Sequence, residues 1–230
     1  MRITWLGHSG FRIEIGDQIL LVDPWMTGNP VFPEGRRGEA IAGATHILLT
    51  HGHGDHAGDA LGVARETGAP IICGHELSVL WAEEEGVEVT GMGKGGTVAL
   101  GDVRATMVHA THSNSVDFSG GVQYAGGEAG FMVAGEGHTI YISGDTDVTA
   151  DMGVFADLHS PDIGILCCGG HYTMDCERAA YAAKKFFDFK TVIPCHYKTF
   201  PLLAQSAQPL ADALSGVDVR MPEVMETVEI

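Results

Sequence analysis

Basic side chains are scarce in this chain: 13 Lys and Arg stand against 30 Asp and Glu, giving a formal charge of −17. The longest basic stretches are the dipeptides Arg36-Arg37 and Lys184-Lys185. Such a surface repels phosphate backbones, so no nucleic-acid partner is expected. No apolar run approaches the roughly 20 residues of a membrane-crossing helix. The opening stretch MRITWLGHSGF lacks the long apolar segment of a signal peptide. No membrane partner is expected, and the expected compartment is the cytoplasm. Cysteine is also sparse. Cys73, Cys167, Cys168, Cys176 and Cys195 are odd in number, two are adjacent, and several lie in apolar segments. That pattern does not fit a disulfide framework; reduced, mostly buried thiols are expected instead.

What the chain does carry is apolar substance and glycine. Hydrophobic residues make up 45% of 230 positions, enough for a sizeable core, and glycine occurs 32 times. Strands dominate early: RITWLG, FRIEIG and QILLVD, with a hairpin turn at Gly16-Asp17. The stretch DPWMTGNPVFPEGRRGEA, broken by Pro24, Pro30 and Pro33, reads as a loop. Helices and strands then alternate. THILLT, PIICG, TVAL, VRATMVHAT, GVQYAGG, AGFMVAG, TIYISGD, DIGILCC, TVIPCH and VDVRM read as strands. AGDALGVARETG, HELSVLWAEEEG, residues 149–158, DCERAAYAAKKFF (with Asp175 as N-cap) and LLAQSAQPLADALSG read as helices. No repeat or linker interrupts the pattern. It predicts one α/β domain over residues 1–230, with helices outside a pair of packed sheets.

One stretch carries chemistry. ILLTHGHGDHAGD places His51, His53, Asp55 and His56 within six positions, with Gly52 and Gly54 between them. Neither a strand nor a helix directs all four side chains to one point. A glycine-containing loop at a strand end does, if Gly52 and Gly54 take unusual backbone angles. Imidazole and carboxylate suit zinc and similar divalent ions. One tetrahedral ion would not use all four neighbours, but two adjacent ions would divide them. Three other predicted strands end in potential ligands: ATHSNS, ISGDTD and PCHY.

The order THGHGDH, HS, SGDT, PCHY closely resembles the metallo-β-lactamase superfamily. WLGHSGF, the DPW…GNP loop and CHYKTFP look like the small metal-dependent hydrolases of its ascorbate-phosphate-lactonase-like branch. The resemblance spans essentially the whole chain. It implies a four-layer αββα sandwich, two mixed sheets face to face with helices outside. It assigns His51, His53 and His112 to one ion, Asp55, His56 and His196 to the other, and Asp145 as the bridge. The pattern prefers His112, in the HS pair, over His109 within the strand. Two divalent ions are the implied cofactors. Zn2+ suits the His-rich set best; Mn2+, Fe2+ and Ni2+ are alternatives.

The remaining candidates have competing readings. His8 resembles a family histidine near the metals, with a catalytic contact or a strand-end structural role. Asp23 would orient a ligand histidine or cap its own turn. His171, in GGHYTMD, departs from the branch pattern and would position substrate, donate a proton, add a metal contact or sit on the surface. Asp55 would protonate a leaving group. Ser9 is no nucleophile elbow, because Phe11 stands where G-x-S-x-G needs glycine. GMGKGG matches G-x-G-x-x-G but precedes a predicted strand, which excludes a dinucleotide site. Arg36 or Arg37 would greet an anionic substrate or stay a solvated loop charge.

The expected function is hydrolysis of a small ester, lactone or phosphodiester by a hydroxide shared between two ions about 3.5–4 Å apart. A nuclease is disfavoured by the charge and by the absence of an inserted domain between Asp145 and His196. A di-iron electron carrier lacks its flavin-binding stretch. A non-catalytic binding protein would be expected to lose ligands, yet all seven are present. A small-molecule substrate is the expected partner; assembly into a homo-oligomer is left open.

Overall fold

Side-chain alternation along single strands separates the layers. Ile47 and Leu49 enter one apolar cluster, whereas Leu48 between them enters another. The computed structural model describes residues 1–230. One seven-stranded sheet contains β1 (Arg2–Gly7), β2 (Gly10–Ile15), β3 (Gln18–Val22), β4 (His46–Leu48), β5 (Ile71–Gly74) and β6 (Val89–Met92). The other contains β7 (Thr97–Leu100), β8 (Val103–His109), β11 (Ala129–Gly135), β12 (His138–Ile142), β13 (Ile163–Cys167), β14 (Thr191–Cys195) and β15 (Asp218–Val219). β9 (Ser115–Phe118) and β10 (Gly121–Tyr124) form a separate ribbon, and β16 (Thr227–Glu229) borders β1 in the first sheet. The helices are α1 (Arg37–Ile41), α2 (Gly54–Ala57), α3 (Ala60–Thr67), α4 (His75–Leu80), α5 (Asp151–His159), α6 (Cys176–Phe186) and α7 (Gln208–Ala213).

The two sheets repeat one scheme. From β16 to β6, and from β7 to β15, three antiparallel pairings are followed by three parallel ones. The parallel halves need crossover helices, which cover the outer faces. Between the sheets lies a core holding Trp5, Phe11, Leu48, Met107, Phe131 and Ile165, among others. A second cluster packs Leu21, Ile47 and Ile71 against Ala60, Val63 and Ala64 of α3. The result is the expected four-layer αββα sandwich. All five cysteines are buried and unpaired, and no helix is long and apolar enough to cross a membrane.

Several element boundaries differ from the sequence reading. The predicted 23–40 loop contains the start of α1, a short helix beyond its last proline. The predicted helix over 75–86 stops at Leu80; Glu83, Glu84 and Glu85 follow, and negative charge is unfavourable at a helix C-terminus. The 202–216 helix shrinks to Gln208–Ala213, with Pro209 in its first turn, where its missing N–H costs nothing. β6, β9 and β16 are too short and too interrupted by glycine or charge to show a period. GMGKGG lies between β6 and β7, with no helix after it, so the dinucleotide reading stays excluded. Asp175 caps α6, accepting the Arg178 N–H at 2.8 Å.

Phe131 is fully buried in the inter-sheet core, opposite Met107 on β8 and Ile142 on β12. Phe131→Ala is expected to lower unfolding free energy by about 3–5 kcal/mol, read from the urea midpoint with the transition slope unchanged.

Candidate metal centre

Six strand ends converge where the two sheets meet. β4 runs into His51–His56, β8 towards His112, β12 towards Asp145 and β14 into His196. β3 ends at Asp23, and the β1–β2 turn carries His8. The glycines of the opening motif do not act as expected. Neither Gly52 nor Gly54 has a positive φ. Gly54 begins α2, and a Cβ on Gly52 would lie 3.0 Å from the Ser115 carbonyl oxygen, a close approach that favours glycine there. The left-handed backbone falls instead on His8 (φ 53°), Asp23 (φ 43°) and His196 (φ 57°). Non-glycine residues persist there only when surrounding contacts impose it.

The candidate ligands form two sets. The nitrogens of His51, His53 and His112 lie within 4.8 Å of one another, as do the ligand atoms of His8, Asp55, His56 and His196. His51 Nε2 and His53 Nδ1 are 3.1 Å apart. Two nitrogens on one tetrahedral zinc ion would be about 3.3 Å apart, given Zn–N bonds of about 2.0–2.1 Å. Asp145 lies between the sets. Its Oδ2 is 2.9 Å from His196 Nε2, 3.3 Å from His56 Nε2 and 3.7 Å from His112 Nε2. Asp145 Oδ1 and His56 Nε2 are buried without a hydrogen-bond partner. Buried polar atoms left unpartnered within this group of imidazoles and carboxylates fit a cation there.

Asp23 decides which nitrogens face that space. Its Oδ2 accepts from His56 Nδ1 at 2.8 Å and from the Thr50 hydroxyl at 2.6 Å, and its Oδ1 accepts the Thr50 N–H at 2.8 Å. With its proton given to Asp23, the Thr50 oxygen accepts from His51 Nδ1 at 3.0 Å. Both rings therefore turn Nε2 inward, one in each ligand set. Of the two readings of Asp23, the ligand-orienting geometry is the one present. Burial alone would depress the His56 pKa, but Asp145 and Asp23 outweigh it and hold it well above the usual histidine range. His51 is pushed well below that range by burial and by His56, so it stays neutral. Burial opposes ionisation of Asp145 too, yet His196 and His56 hold its carboxyl well below normal.

Other expectations resolve separately. His109 is exposed to solvent on one side and pairs with Asp151 at 2.8 Å, away from the ligand sets that include His112. His171 is exposed in the β13–α6 loop, edge-on to Tyr172, and belongs to neither set. Tyr197 stacks on Trp5 in the core. Arg37 pairs with Asp59 and Glu66, tying α1 to α3, and Arg36 pairs with Glu39 three residues on. Asp59 also accepts the N–H groups of Met26 and Thr27, fixing the segment after Trp25. Trp25 and Phe200, 5.8 Å apart, flank the His8 ring.

His8 is fully buried, with Nε2 3.1 Å from Asp55 Oδ2 and Nδ1 3.0 Å from Thr199 Oγ1. Burial pushes its pKa down to about 4. Burial would raise the Asp55 pKa, but the nearby His56 charge opposes it and the carboxyl stays well below the usual range. Supports that the sequence reading missed are Asn114, Glu128 and Thr199. Asn114 Oδ1 accepts the Gly52 N–H, and Glu128 accepts the His112 N–H at 2.7 Å. Their only sequence signal is polarity beside a motif.

A model of the beta-lactamase superfamily domain matches residues 2–196. The chain belongs to the metallo-β-lactamase superfamily. Within that superfamily it is 69% identical, over the full length of both chains, to a UPF0173 metal-dependent hydrolase of Dinoroseobacter shibae. It is 31% identical to Igni18, a metallo hydrolase from the hyperthermophilic archaeon Ignicoccus hospitalis, with a TM-score of 0.85 over 99% of this chain and 97% of that one. The metallo-beta-lactamase fold protein YhfI from Bacillus subtilis, at 15% identity, shares the fold with a TM-score of 0.74 over 99% of this chain and 98% of its own. The chain is therefore a metal-dependent hydrolase of this superfamily.

Because Asp23 holds a histidine in each ligand set, Asp23→Asn is expected to weaken both metal positions together, by about 10–100-fold. Calorimetric zinc titration of the chelator-stripped protein measures this; loss at only one position would contradict the shared role.

Proposed function

We propose that the enzyme is a dinuclear hydrolase of a small ester, lactone or phosphodiester. The observation that carries this reading is Asp145, whose Oδ2 lies within 3.7 Å of imidazoles from both ligand sets. A single carboxylate facing nitrogens on both sides supports a bridge between two ions. His51, His53 and His112 would hold one ion, and Asp55, His56 and His196 the other. The His-rich donor set favours zinc. Two divalent cations supply Lewis acidity and water activation.

The protein's own groups define the rest. His53, Asp55 and His112 are the partly exposed members of the two sets, so they mark the mouth through which substrate enters. Trp25 and Phe200 give that mouth a half-buried aromatic wall beside His8. Asp55 is held ionised, which suits an anionic ligand or proton acceptor rather than the expected acid. The exposure of His171 leaves it a role at most at the rim. Fixed groups aimed at one point provide the electrostatic preorganisation on which acyl or phosphoryl transfer depends. The charge of −17 supports a small substrate over a polynucleotide.

Chelator-stripped protein, reconstituted with Zn2+ or Mn2+, is to be assayed against lactones, phosphodiesters and thioesters. Turnover of at least one class is expected only after reconstitution, and equal turnover without metal would sink the mechanism. Asp145→Ala is expected to lower metal content at both positions. Two fully retained ions in that variant would refute the bridge.

A further inference from the structure

The second ligand set contains one group more than its three expected members. His8 Nε2 lies with the donor atoms of Asp55, His56 and His196, all within 4.8 Å of one another. Its position is imposed from three directions. The His8 carbonyl accepts the His196 N–H at 2.9 Å and the Trp5 indole N–H at 3.0 Å. Its ring lies 4.1 Å from the His196 ring, and its Nδ1 is 3.0 Å from Thr199 Oγ1. The turn between β1 and β2 is thus tied to the end of β14, in the opposite sheet.

The Thr199 contact sets the tautomer. Thr199 Oγ1 is also 3.1 Å from the Tyr197 carbonyl, which can only accept a proton. The hydroxyl proton points there, so Oγ1 accepts from His8 Nδ1–H. The His8 Nε2 lone pair then faces the Asp55 carboxylate at 3.1 Å. Two electron-rich atoms at that distance repel unless a cation lies against both. The spacing matches neighbouring donors on a single zinc ion, about 3.3 Å apart for bonds of about 2.0–2.2 Å.

We propose that His8 is a fourth protein ligand of the second metal position, beside Asp55, His56 and His196. The assignment rests on the two-ion reading above. It makes the positions unequal. The second has four donors besides Asp145, and its three histidines are at most 1% exposed. The first has three donors besides Asp145, and His53 and His112 are partly exposed. The second ion is then the more firmly held, and the first position keeps the coordination space open to substrate.

The test uses the full chain, stripped of metal and titrated with Co2+ by visible absorption and with Zn2+ by calorimetry. Wild type is expected to take two ions in unequal steps. His8→Asn, whose side chain tolerates the left-handed backbone, is expected to weaken the tighter step by at least about 10-fold and to change its cobalt spectrum. The weaker step should be unaffected. Thr199→Val should weaken the same step less. Histidine 15N spectra of the wild-type chain give a readout independent of any variant: the His8 Nε2 resonance should move when Zn2+ binds. Unchanged steps and spectrum in His8→Asn, or an unmoved His8 Nε2 resonance at saturation, would overturn the assignment. A wild-type chain that binds one ion would sink the two-ion reading, and the His8 resonance would still decide this one.

Discussion

A buried carboxylate ringed by imidazoles governs the architecture of this protein. Asp145 is 3% exposed and faces nitrogens of His56, His112 and His196. An ionised group in such surroundings is costly unless compensating positive charge lies against it. Asp23, equally buried, supplies negative charge from the other side of His56. Together they make the centre a place where cations belong. The high proton affinity of His56 expresses the same demand, since a proton there answers the field that a metal ion would answer.

The fold brings the groups of that centre together. Each sheet pairs antiparallel strands on one side and parallel strands on the other. Parallel strands end on the same edge, and the loops leaving them gather there. Packing the sheets face to face brings His51–His56 from one sheet against Asp145 and His196 from the other. Main-chain strain falls on His8, Asp23 and His196 rather than on glycines. Dense support from the inter-sheet core and from the bonds among Asp23, Thr50, His8 and His196 holds them there.

Much of the centre was legible because its ligands follow apolar strands in a recurrent order. THGHGDH, THS, SGDT and PCHY each stand just beyond a run of β-formers, so spacing pointed to these stretches and the family resemblance picked the seven residues within them. The supports were not legible. Asn114 bonds Gly52 across 62 positions, and Thr199 bonds His8 across 191. Nothing local in an Asn or Thr announces such a partner. Asp23 was ambiguous for the same reason: an Asp before proline is equally suited to cap a turn. The glycine argument failed because close packing against Ser115, rather than backbone freedom, is what favours glycine at position 52.

The sequence by itself determined the alternation of strands and helices, the acidic surface, the reduced cysteines and the identity of the clustered imidazoles and carboxylates. These follow from residue type, short-range spacing and, for His112, Asp145 and His196, the ordered motifs of the family resemblance, none of which requires knowledge of what packs where. Tertiary structure alone decided which nitrogen of each histidine faces inward and that Asp145 reaches both sets. It also drew His8 beside Asp55 and committed Arg37 to Asp59 and Glu66. Those outcomes depend on contacts between residues far apart in the chain, which only the packed strands and the loops leaving them create.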